Sequence, residues 1–308
     1  MLSASIFTDD KGGSIRIPAL CCGTYGFKPS AHRTPYGGQA HPGKPGSPSF
    51  PAVAGPLATN FADLGWLMQE VLGAKPWDFD GTALHIPWRT SELLDKKEKL
   101  RIGLLVEDPK WPCWPPIRRA WATATEKLKA AGHEIITLNN APSVDEGLVL
   151  ANSSFSLDNT QQAGQYIHAS GEPLVESVRR TLETMTPKPG GWTLEEVFEL
   201  NVHKTRYSER WNKVFVANGL DCILGPGAQT TAAPHDTYGT VPYTAVWNIL
   251  EVSLLLEYPE DASTDYDSIP ESLYLSWKQT RASTLTIWLP VTRFIHVSDH
   301  STLQHTIG

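Results

Sequence analysis

"GGSIRIPALCCGTYGFKPS", residues 12–30, is the stretch on which the reading of this chain turns. Two glycines run into Ser14, and Arg16 follows two positions later. Taken alone, a serine after two glycines is an ordinary turn residue or helix cap. The nucleophile elbow G-x-S-x-G is not met, because Arg16 stands where its last glycine should be. That departure argues against an α/β-hydrolase.

Working outward, the chain has 308 residues, enough for one large domain or two small ones. Its apolar share is that of a globular protein with a sizeable core. The net charge of −7 argues against a nucleic-acid partner, since phosphate binding needs a basic face. No apolar run approaches the ~20 residues of a membrane helix. The opening "MLSASIFTDD" has neither the basic start nor the apolar stretch of a secretory signal. Cys21, Cys22, Cys113 and Cys222 form no CxxC pair, so four reduced thiols in a cytoplasmic protein are expected, and no zinc site.

Residues 23–56 read as loop, so dense are their glycines and prolines. "TNFADLGWLMQEVLG" reads as a helix, with Phe61, Leu64, Leu67, Met68, Val71 and Leu72 at helical spacing, Asn60 as cap and Gly73 as end. "LRIGLLV", residues 100–106, suits a buried strand. A helix begins at Pro115-Pro116, buries a face through Ile117, Ala120, Trp121, Ala124, Leu128 and Ala131, and stops at Gly132. "HEIITL" is the next strand, residues 143–218 are mostly helical with a break at "TPKPGG", and "GLDCILGPG" is another buried strand. Strands alternating with helices of this length predict an α/β fold.

The opening stretch closely resembles the signature of the amidase signature family: GGSIR-x-P, then C/N-G-x-x-G-L-K/R-P-S/T. "RTPYGG", "GPLATNFADLGWLMQEVLG", "AAGHEI", "SGEPL" and "PYTAVWNILE" are similar to its acetamidase-like branch, and the likeness runs from about residue 10 to 251. The resemblance implies a mixed β-sheet flanked by helices on both faces, with residues 1–251 as a partial amidase signature domain and 252–308 as a divergent tail. It implies hydrolysis of small amides through an acyl-enzyme, by a Ser–Ser–Lys triad and without a cofactor. Ser14 then matches the nucleophile, and the backbone N–H groups of Lys11, Gly12, Gly13 and Ser14 would face the oxyanion. Arg16 would be structural, paired with a nearby carboxylate, for which Asp10 is the candidate.

The same resemblance puts the second serine and the lysine base upstream of the nucleophile. Thirteen residues precede Ser14 here; Ser3 and Ser5 lie too near it to match. Lys11 occupies a position usually held by isoleucine, and His32 one usually held by glycine. The chain therefore resembles an amidase without its N-terminal third, and the competing expectation is an inactive amidase-like protein. Uncovered apolar surface from that loss would favour homo-oligomer formation. After Glu251 only Tyr258-Pro259 echoes the family, which reads as a translated intron or frameshift. A histidine-based site built on His296, His300 and His305 has no HExxH or carboxylate pair to support it. A triad of Ser14 with His235 has no supporting spacing.

Overall fold

The computed structural model of the chain describes residues 5–40, 43–86, 88, 99–257 and 285–289. Among them are strands β1 (Ser5–Asp10), β2 (Tyr25–Lys28), β3 (Val53–Ala58), β4 (Arg101–Leu105), β5 (Glu134–Leu138), β6 (Cys222–Pro226), β7 (Ser253–Glu257) and β8 (Leu285–Leu289). They form one sheet in the order β1-β3-β2-β7-β8-β6-β4-β5. β4 runs parallel to β5 and β6, and every other pairing is antiparallel, so the sheet is mixed. The helices are α1 (Arg16–Cys22), α2 (Phe61–Gly73), α3 (Pro115–Ala130), α4 (Val144–Phe155), α5 (Gln162–Ser170), α6 (Glu176–Thr184), α7 (Leu194–Ala217) and α8 (Pro242–Ile249).

Side-chain alternation along β4 and β6 explains why helices cover both faces. Ile102, Cys222 and Leu224 meet Ala124 and Leu128 of α3 on one face. Leu105 and Ile223 join a larger core with Leu148 and Ala151 of α4, Tyr207 and Trp211 of α7, and Trp247 of α8 on the other. Of the α3 face read from the sequence, Ile117, Ala124 and Leu128 are buried, while Ala131 lies beyond the helix end and is exposed. Gly132 takes φ 90°, and His133 N–H closes back on the Leu128 carbonyl at 3.1 Å. In α2 the Asn60 side chain caps Ala62 N–H at 3.0 Å, and Leu64, Met68 and Leu72 form the buried stripe.

Two stretches differ from the sequence reading. The Gly/Pro-rich region 23–56 contains β2 and the start of β3. Both are short, and their ladder stops at Gly26–Leu57, beside Pro56, which has no N–H to continue it. Tertiary pairing makes these strands where local punctuation predicted loop. Beyond Glu251, the stretch expected to diverge supplies β7 and β8, which lie at the middle of the sheet. Tyr258-Pro259 lies outside the described residues.

α4 crosses α8 and α7 at Gly147. A Cβ there would fall 2.1 Å from Val246 Cγ2 and 2.6 Å from the Tyr207 hydroxyl, which itself donates to the Ser143 carbonyl at 3.0 Å. Gly147→Ala would favour an isolated helix by about 1 kcal/mol. Here overpacking, typically about 1–3 kcal/mol, should win, and the variant should melt below the parent. An unchanged or higher Tm by differential scanning calorimetry would show that the contact is not tight.

Candidate active site

β1 delivers the chain to Asp10, and α1 begins six residues later, at Arg16. The loop between them is tied to the Asp10 carboxylate, which is wholly buried. Its Oδ1 accepts from Gly13 N–H at 2.8 Å, Arg16 Nη2 at 2.9 Å and Asn248 Nδ2 at 3.0 Å. Its Oδ2 accepts from Ile15 N–H at 3.1 Å and Arg16 Nε at 2.9 Å. Arg16, also wholly buried, donates further to the Thr244 carbonyl at 2.8 Å and to the Asn248 side chain. Burial alone would raise the Asp10 pKa. The Arg16 charge and hydrogen bonds, helped by Lys28 and Asn248, outweigh it and lower the carboxyl to about 2.

This wiring fixes the glycine turn. Gly13 has φ 140°, and a Cβ would sit 2.5 Å from Ile17 Cδ1 and 2.7 Å from Thr244 Oγ1. Thr244 Oγ1 donates to the Gly12 carbonyl at 2.8 Å, holding the turn from α8. Ser14 is left exposed between buried Gly13 and Ile15. Among the described residues, nothing hydrogen-bonds to the Ser14 side chain or to the N–H groups of Lys11, Gly12 and Ser14. The Gly13 N–H departs from the expected oxyanion set, because Asp10 already takes it.

Two clefts flank the turn. One, of about 180 Å³, is lined by Lys11, His32, Thr34, Ser49, Phe50 and neighbouring residues. The other, of about 150 Å³, lies between the loop at 227–241 and the first turn of α8, including Thr244. His32 adopts φ 60°, the left-handed region that a glycine would occupy without strain. His235 is exposed, and no hydrogen bond joins it to Ser14. His296, His300, His305 and Ser3 lie outside the described residues. The sequence reading assigned no role to Thr244 and Asn248. They stand in "PYTAVWNILE", but contact with a loop more than 200 positions away leaves no local signal.

Lys28 is a further buried charge. It is 1% exposed and donates to the Pro29 carbonyl at 2.9 Å. Burial lowers its pKa and Arg16 adds to this, while Asp10 and Glu251 oppose, leaving about 7.

A fold of this kind, with a serine held on a Gly-Gly turn by a buried Asp–Arg pair, has known counterparts. The family model described as Amidase matches residues 4–260, and the chain belongs to that family. It is 34% identical over 247 residues to an amidase of Gibberella moniliformis, covering 79% of this chain and 45% of that protein. It is 30% identical to an acetamidase of Aspergillus oryzae, covering 79% and 46%. Among solved structures, a fatty acid amide hydrolase superposes with a TM-score of 0.78 at 27% identity, covering 93% of this chain and 53% of that one. The chain spans about half the length of the curated relatives it matches. Among the described residues no helix is long and apolar enough to cross a membrane.

Removing one partner of a buried ion pair strands the other, at about 3–5 kcal/mol. Asp10→Asn and Arg16→Met should each lose about that much in urea unfolding, and the double variant less than their sum. Strict additivity would show that the pair is not coupled. For Lys28, the folded pKa of about 7 lies below the ordinary 10.5. Between those values the unfolded chain binds a proton that the folded chain has shed, so this group makes stability rise with pH. Urea midpoints from pH 7 to 9.5 should rise in the parent relative to Lys28→Met, and a pH-independent difference would contradict this assignment.

Proposed function

We propose that Ser14 is the nucleophile of a hydrolase acting on the carbon–nitrogen bond of small amides. Its Oγ would bond to the carbonyl carbon, the C–N bond would break with the proton passing to the leaving amine, and water would then release the acid. The observation that carries this reading is the exposed Ser14 on a turn whose Lys11 and Gly12 N–H groups have no partner among the described residues. Those two amides would hold the oxyanion, and Gly13 would serve the turn through Asp10. Asp10 and Arg16 would act as positioning residues, keeping Ser14 presented.

Ser14 has no hydrogen-bonded base among the described residues, and a serine without one is a weak nucleophile. This observation favours the second reading for residues 1–308 taken alone: amide binding with little turnover. In other serine hydrolases, binding and the oxyanion hole without the triad leave about 10³–10⁴-fold over water. That is far below a working kcat of ~10 s⁻¹ on amides. A fluorophosphonate, followed by intact mass over hours, should label the chain once, and Ser14→Ala should abolish the label. Labelling that persists in the variant would move the nucleophile elsewhere. Acetamide and benzamide turnover should match the Ser14→Ala blank. A rate above ~1 s⁻¹ that vanishes in the variant would place a base within the chain, with Lys11 the first to test.

A further inference from the structure

We infer that the cleft beside the Gly-Gly turn is an anion subsite, in which Lys11 and Ser49 take the carboxylate of an amide that carries an acid at its far end. This deepens the proposed function and rests on it for the word amide. Lys11 and His32 lie 21 positions apart in sequence yet line the same cleft. His32 keeps its side chain there at the cost of φ 60°, with Nδ1–H donated to the Thr82 carbonyl at 3.2 Å. Strain of this kind persists where surrounding structure holds it, as around ligand clamps.

The donors are of the right kind. Lys11 is only part-exposed and makes no ion pair or hydrogen bond among the described residues. Burial lowers its pKa and the charge of Asp158 opposes this. The Asp158 carboxylate is engaged by the N–H groups of Lys44, Thr160 and Gln162 and by the Thr160 hydroxyl, and among the described residues no ion pair joins it to Lys11. Ser49 Oγ is buried without a hydrogen-bond partner among the described residues. A carboxylate entering the cleft would satisfy both groups with charge-assisted hydrogen bonds. Phe50 supplies an apolar wall for the methylenes between acid and amide. Lys11 and Ser14 are three residues apart, at most about 11 Å between Cα atoms, within reach of a ligand of four to six carbons.

The test is calorimetric titration of the full 308-residue chain with glutaramate and with valeramide, the neutral amide of the same five carbons. Glutaramate should bind at least about tenfold more tightly, Lys11→Met should erase that preference, and Lys11→Arg should keep it. Equal binding of the two amides by the parent, or a preference that survives in Lys11→Met, would overturn the subsite. Should Lys11→Met fail to fold by circular dichroism, neutral Lys11→Gln gives the same reading. The titration needs no turnover. A missing acyl-enzyme would remove the catalytic reading and leave this result standing, and a lost charge preference would do the reverse.

Discussion

The site depends on one buried ion pair. Asp10 ends the edge strand β1, Arg16 opens α1, and neither is exposed. Between them lie the two glycines and Ser14, so the pair's geometry sets the turn's geometry. A buried pair is a weak source of stability, because desolvation offsets its attraction. What it supplies here is definition. Five donors converge on one carboxylate, from the turn, from Arg16 and from α8, and few other backbone paths satisfy them all.

α8 is the second half of the device. It is buried through all eight residues, and its Thr244 and Asn248 face the turn while Val246 and Trp247 face the core. The core behind it is tight, as the contact of Gly147 with Val246 shows. The position of Ser14 is thus coupled to the packing of α4 and α7, neither of which touches it through a hydrogen bond. Rigid elements of this kind hold functional groups more closely than loops do.

Much of this was legible in the sequence. The α3 helix, its Gly132 stop and the strands on either side follow from periodicity and cap chemistry, which act locally. The family followed from the "GGSIRIP" stretch and its companions in order. β2 and β3 were read as loop because Gly and Pro are local signals, whereas those strands exist through pairing with β7 and β1. β7 and β8 were hidden for the same reason, in a stretch without clean alternation. At the site, Asp10 and Arg16 could be paired on paper through the family resemblance, while Thr244, Asn248 and the cleft around Lys11 required the fold.

The strand order has a consequence for how the chain is made. β1, β3 and β2 form one half-sheet from the first 58 residues, and β6, β4 and β5 form another complete by residue 226. Among the described residues only the β7–β8 pair joins them in the sheet, and its second strand ends at Leu289. During synthesis both halves therefore emerge with an open edge each, well before the strands that close them. Those two edges, at β2 and β6, are where a nascent chain is most exposed to pairing with a neighbour instead of with itself.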